Sequence, residues 1–324
     1  MRRVVWSVLA GLGAFFIVLA IMSKLYVPGQ AVKFPLNDYS VNTLVAQNAS
    51  WFSPKSVSEL SNVTLEITST VKGDVSAADS LGSSKYAVWQ SFAATEDITN
   101  HQSVSIPATA DVLAFDRKTG VLVPWSGNTI GGKHVASVSG QGYVWPLGAK
   151  KQSYQVFDPV LLKPVTFAYK GTSSVNGIPT YTYVANIPGQ QIGTESLPGN
   201  LVGSNAAEVT LPEIYSAQET YYVDPVTGAP ISVVRNTHDV LQNGSGTTLL
   251  VLLSGDFKTS PASVAATVKT DNHYRFLISL ATSIIPIVAG LIGIILLVIG
   301  LVLGRMSHED EEYEDEDELE SSPV

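Results

Sequence analysis

The chain has 324 residues, 45% of them apolar, a formal net charge of −9 and no cysteine. That length holds one large domain or two small ones. An exported domain without cysteine has no disulfides to lean on, which points to a bacterial protein with a self-sufficient core. Ten of the 28 acidic residues fall in "HEDEEYEDEDELE" near the C-terminus, so the rest of the chain is nearly neutral and has no basic stripe for nucleic acid.

In chain order, the first element is "VVWSVLAGLGAFFIVLAIMS", residues 4–23, uncharged and preceded by Arg2 and Arg3. At ~1.5 Å per residue it can cross a hydrocarbon core of about 30 Å. A cleaved signal peptide is the competing reading. Its apolar run is longer than a signal core, however, and the exit "AIMSKLYVPG" has no A-x-A site, so an uncleaved anchor is expected. The matching element is "FLISLATSIIPIVAGLIGIILLVIGLVLG", residues 276–304, followed by Arg305. Arg2, Arg3 and Arg305 flank the two spans on one side, so the positive-inside rule predicts a two-pass plasma-membrane protein with both termini cytoplasmic and residues 24–275 outside.

Between the spans, β-forming runs are separated by Gly, Asn, Asp, Ser and Pro. They fall at residues 63–71, 85–93, 110–116, 165–171, 180–187, 220–224, 230–242 and 247–257. A short helix is expected at Ser53 to Asn62, with Ser53 as N-cap. The expected fold is mainly β with α segments: an antiparallel, β-rich ectodomain flanked by two transmembrane helices. Phe52-Ser53-Pro54 before Val63-Thr64-Leu65, and Phe157-Asp158-Pro159 before Val165-Thr166-Phe167, recur in the same order, each leading to a D-x-x-T-G phrase. Two related units, at about 40–130 and 145–257, are therefore expected.

The two phrases are Asp116 to Gly120 and Asp224 to Gly228. An aspartate can accept backbone N–H groups two and three residues on, Thr119 or Thr227 can bond locally, and Gly120 or Gly228 can take a positive φ. Pro225 presets the first corner of the second turn. A catalytic aspartate would need a partner acid, base or nucleophile at each copy, and neither repeats one. There is no G-x-S-x-G, H-E-x-x-H or P-loop phrase, and His101, His134, His238 and His273 are scattered. No enzyme activity, cofactor or metal is expected. His238-Asp239 reads as an ordinary cross-strand pair.

The acidic run from 305 reads as a disordered, solvating cytoplasmic tail. Gly300 and Gly304, and Ala10 to Ala14, put small residues on helix faces, allowing the two spans or two chains to pack. Pro286 is expected to kink the second span or to mark its entry into the bilayer.

The anchor, "YVPGQAVKFPLN", "WPLGAKKQSYQVFDPVLLKPVTFAYKG", "NGIPTYTYVANIPGQQI", "ETYYVDPVTGAPISVV" and the final span together resemble the actinobacterial porin PorA family. The likeness takes in the ectodomain and both spans and leaves out the acidic tail. It implies an envelope protein, with channel formation in some members, and brings no catalytic residues. A β-barrel porin normally lacks long apolar helices, and here two flank the strands. The D-P-x-T-G-x-P phrase is also similar to exported mycobacterial lipoproteins that hold lipids in a half-barrel sheet. That likeness implies an apolar concave face able to shelter an acyl chain.

The leading expectation is a non-enzymatic envelope protein whose ectodomain binds or passes envelope lipids or other apolar ligands. A channel-forming porin and an envelope assembly or scaffolding subunit are the alternatives. The expected partners are the lipid bilayer, an envelope lipid, and a protein partner or second copy met through the helices.

Overall fold

A computed structural model describes residues 2–104 and 109–320; the side chains of residues 2–3, 28, 31 and 307–320 lie outside that description. Residues 33–272 form one compact unit, and residues 1–32 with 273–324 form another.

The helical unit contains α1 (Arg2–Ala31) and α4 (Ile285–Glu320), and α3 (Pro261–Ser279) runs into it through a π-turn at Leu280–Ile284. Ser260 caps α3, its Oγ accepting from the Ser263 N–H, and Pro261 takes the first helical position, where no N–H is needed. Both terminal helices contain windows long and apolar enough to cross a membrane, 4–27 and 261–306. Apolar side chains such as Val8, Phe15, Val18, Ile287, Ile294 and Val298 are exposed around both of them. The first helix extends past residue 23, where the sequence reading ended it, to Ala31. The backbone of 305–320 is helical where an irregular tail was expected. Glutamate is a good helix former, and a segment that prolongs an existing helix avoids the nucleation cost.

The other unit is one long, mostly antiparallel sheet. Its strands are β1 (Tyr39–Ser53), β2 (Ser58–Gly73), β3 (Tyr86–Asp97), β4 (Gln102–Ser103), β5 (Thr109–Asp116), β6 (Thr129–Ile130), β7 (Lys133–His134), β8 (Tyr154–Asp158), β9 (Lys163–Val175), β10 (Ile178–Pro198), β11 (Glu208–Val223), β12 (Pro230–Gln242) and β13 (Thr248–Thr259). Their spatial order is β7-β6-β5-β3-β2-β1-β13-β12-β11-β10-β9-β8, with β4 beside β3. Each D-x-x-T-G turn ends a run of four sequentially paired strands, β1-β2-β3-β5 and β8-β9-β10-β11. Both runs belong to a single sheet, with β13 and β12 joining β1 to β11.

The two edges of this sheet are tied together. Val121 bridges to Gln141, and Gln141 bridges to Val156 of β8. Gln141 donates its N–H to the Gln155 carbonyl at 2.7 Å and accepts from the Phe157 N–H at 2.9 Å. β8 thereby becomes a partition: Val156 joins an aromatic cluster with Trp145, Phe167 and Tyr183, while Phe157 joins one with Trp89, Phe115 and Phe34.

One sheet face carries the core and the other faces water. Cross-strand rows of the inner face read Glu219-Arg235-Phe257, Ala217-Thr237-Gly255 and Tyr215-Asp239-Leu253. The outer rows read Gln218-Asn236-Asp256 and Ser216-His238-Ser254, and on β2 and β3 they are Lys72-Gln90 and Glu66-Glu96. Among the described residues these polar rows interrupt the apolar ones, such as Ile214-Val240-Val251, so the outer face mixes polar and apolar residues.

A helix from Ser53 to Asn62 does not form. β1 ends at Ser53, Pro54 starts a turn, and β2 begins at Ser58, because Pro54 and the exposed polar residues give a helix no buried stripe. A seven-residue helix, α2 (Val75–Leu81), was missed. Asp74 caps it through a 2.9 Å bond from the Ala77 N–H, and Gly82 stops it at φ 107.

Candidate functional site

The two D-x-x-T-G turns have matching hydrogen bonds. Asp116 Oδ1 accepts from the N–H groups of Lys118 (2.9 Å) and Thr119 (3.0 Å), and the Gly120 N–H reaches the Asp116 carbonyl at 2.9 Å. Asp224 Oδ1 accepts from the Val226 N–H at 2.9 Å, and the Gly228 N–H reaches the Asp224 carbonyl at 2.9 Å. Pro225 occupies the first corner after Asp224. Burial raises the Asp116 carboxyl, but the N–H groups of Lys118 and Thr119 outweigh it and hold the group below the usual carboxylate range.

Three further turns share this plan. Ser53, Asp97 and Asp158 each accept from backbone N–H groups of the turn that follows, and the fourth residue on, Val57, His101 or Leu162, has φ 53. Left-handed backbone alone therefore does not explain the glycines at 120 and 228. A Cβ on Gly120 would lie 2.6 Å from the Val144 carbonyl oxygen, and one on Gly228 would lie 2.1 Å from that of Trp145. The segment 140–148 lies against both turns: Gly142 donates to the Gly120 carbonyl, Leu147 to that of Lys118, Trp145 to that of Gly228 and Gly148 to that of Val226. The repeated phrase marks the two turns that dock on one strap.

The second turn has another partner. Thr227 Oγ1 donates to Asp271 Oδ1 of α3 and lies 3.3 Å from Asp224 Oδ2. This fixes the D-x-x-T-G threonine between a loop and a helix.

A polar band crosses the inner face of β11 and β12. Glu219, 4% exposed, lies 2.5 Å from the Arg235 Nε, and Arg235 also donates to the Tyr221 hydroxyl at 3.4 Å. Burial raises Glu219 and outweighs the lowering by Arg235, with Asp158 adding to the rise. Arg235 is held more firmly protonated by Glu219. Burial pushes the Tyr221 hydroxyl up to about 12. Yet the Arg235 side chain, flanked by β11 and β13, keeps 34% of its surface accessible. Further along β12, Asp239 is pushed up to about 7 by burial and by the Glu213 charge near it.

Apolar groups bound this band on both sides. One is the cluster of Trp145, Phe167, Tyr183 and Val223; the other is Leu197, Leu211, Leu241 and Leu250. None of the band's charged residues was singled out from the sequence except Asp239, as half of a dipeptide. The available signal was the placing of Glu213, Tyr215, Glu219 and Tyr221 at even spacing on one strand.

The histidines do not gather. His238 faces outward and pairs with Ser254 Oγ at 2.8 Å, while Asp239 next to it faces inward. Among the described residues no group of three His, Cys, Asp or Glu could hold a metal ion.

In the helical unit α1 and α4 run antiparallel along a seam of small residues. A Cβ on Gly300 would lie 2.7 Å from the Ala10 nitrogen, one on Gly304 would lie 3.2 Å from the Trp6 ring, and one on Gly13 would lie 2.5 Å from the Leu297 nitrogen. Gly300 and Gly304 thus bring together two helices of the same chain.

The family described as Porin PorA matches residues 7–302. No curated protein matches the chain.

Proposed function

The chain belongs to the porin PorA family, and from that premise we propose that it is a non-enzymatic envelope protein. It is anchored by two spans with both termini cytoplasmic, and its sheet domain binds an envelope amphiphile on its inner face. The observation that carries this reading is the partly accessible Arg235 band between two apolar clusters. Apolar walls with a few placed polar groups are what a cofactor-sized or lipid-sized ligand needs. The antiparallel helices support the topology, since they bring Arg305 to the same end as Arg2 and Arg3. The test is native mass spectrometry of full-length protein released from its own membrane in mild detergent. A discrete adduct, recovered as an amphiphile by organic extraction, is expected; a bare polypeptide mass with an empty extract overturns the reading.

The family description favours a second reading, a channel. The polar rows on the outer face of the strands argue that such a channel would not cross lipid as a β-barrel, so conduction would depend on the helices. Planar-bilayer conductance that survives removal of either helix would exclude that route.

A further inference from the structure

The outer face of the sheet changes character at one corner, where β1 begins and β2 ends. The two cross-strand rows there read Val41-Thr70-Phe92 and Tyr39-Lys72-Gln90. Tyr39 is 69% exposed, Phe92 50% and Val41 43%. Gln90 donates to the Asp74 carboxylate at 2.9 Å, and Val75, the residue after Asp74, opens α2 with 40% of its surface exposed. Elsewhere in the sheet unit, exposed apolar residues such as Val57, Ile98 and Leu162 sit in turns. Here they line up on adjacent strands, and a continuous apolar patch of this kind marks a surface that something covers.

The connections of the chain indicate what that is. α1 ends at Ala31 and β1 begins at Tyr39. At no more than ~3.6 Å per residue, the link holds Tyr39 within about 30 Å of the end of that helix. Next to β1, Thr259 ends β13 opposite Leu44, and Pro261 already starts α3, the beginning of the apolar window 261–306. Both tethers therefore enter the sheet at the end that carries the patch. β1 runs 15 residues, about 50 Å at ~3.3 Å per residue, so Val57 just beyond its far end can stand well clear. The residue types agree: aromatic rings settle at the headgroup level of a bilayer, and a lysine such as the exposed Lys72 lays its stem on apolar surface with its charge in water. A second copy fits less well, because four side chains of these exposures offer roughly 400 Å² where a stable interface takes about 800 Å² per partner.

We propose that Tyr39, Val41, Val75 and Phe92, around Lys72, form an interfacial contact through which the sheet domain rests on the headgroup layer of the membrane that holds the spans. This rests on the reading of α1 and the 261–306 window as membrane spans, and adds a contact made by the sheet itself.

The absence of cysteine from the chain allows a direct test. Phe92→Cys, Val57→Cys and Val18→Cys are each labelled with a nitroxide in full-length protein reconstituted into lipid nanodiscs. Relaxation by oxygen, which concentrates in lipid, is compared with relaxation by a nickel chelate, which stays in water. The oxygen-to-nickel ratio is expected to be highest at 18 and lowest at 57, and at 92 at least about twofold above that at 57. A ratio at 92 equal to that at 57, with 18 still lipid-like, overturns the interfacial contact and leaves the spans standing. A water-like ratio at all three positions overturns both. Broadening of the Phe92→Cys spectrum that vanishes on dilution with unlabelled protein shows a second copy on the patch and overturns the bilayer as its partner.

Discussion

The Nζ of Lys24 donates a 3.0 Å hydrogen bond to the backbone carbonyl of Thr282. That carbonyl lies four residues before Pro286, which has no N–H to give it, and the helix opens into a π-turn over Leu280–Ile284 at the same place. A carbonyl without a donor is costly, and Lys24 on the other helix serves it. The seam of Gly13, Gly300 and Gly304 thus ends in a polar clasp.

A double-mutant cycle follows from that clasp. Lys24→Met should weaken the helix pair by about 1–2 kcal/mol, while in a Pro286→Ala background, where residue 286 can serve the carbonyl, the same change should cost little. Thermal unfolding of the four proteins in one detergent measures the coupling; additive effects would contradict this role of Lys24.

The glycines of the two docked turns should be far less replaceable than the equivalent residues elsewhere. Gly228→Ala places a Cβ 2.1 Å from the Trp145 oxygen, so a loss above about 2 kcal/mol is expected. Leu162→Gly, at φ 53 in a turn without that contact, should be neutral or stabilising by up to about 1 kcal/mol. Chemical unfolding of both variants decides the matter.

Arg235 and Glu219 should behave as a unit. Arg235→Met leaves the 4%-exposed Glu219 without its counter-ion, a change of the kind that costs about 3–5 kcal/mol. Replacing both, as Glu219→Leu with Arg235→Met, should recover most of the loss, and thermal melts of the single and double variants read it directly.

Asp239 gives a pH dependence of defined sign. Its carboxyl is raised to about 7 in the folded chain, so the folded state holds a proton that the unfolded state has already released. The contribution is fully present below the ordinary aspartate range and is lost as pH rises toward about 7. Asp239→Asn should flatten this slope, raising the melting temperature most at and above neutral pH. An unchanged slope would show that Asp239 does not carry the proton.

Much of the architecture was legible because its causes are local. Uninterrupted apolar runs specify the two long helices, and Val-, Thr- and Tyr-rich alternation specifies β12 and the middle of β10. β1 escaped because positive-φ Asn48 and register shifts between Ala46 and Trp51 break its period. The helix drawn at Ser53 mistook a turn's capping serine for a helix cap, since both use the same hydroxyl-to-N–H bond. The D-x-x-T-G phrase was readable as a turn. That its glycines answer to Val144 and Trp145 was not, because those contacts are long-range. The Glu219–Arg235 band was hidden for the same reason: cross-strand register brings together residues sixteen positions apart.

The most direct measurement uses a photoactivatable acyl probe, diazirine on the chain, with full-length protein in native-like membranes, followed by peptide mapping. If the inner face takes an amphiphile, labels should appear on inward residues of β11 and β12 such as Leu211, Tyr215 and Leu241, with outward Gln218 and Asn236 unlabelled. Labels confined to the apolar helices within 4–27 and 276–306 would contradict it.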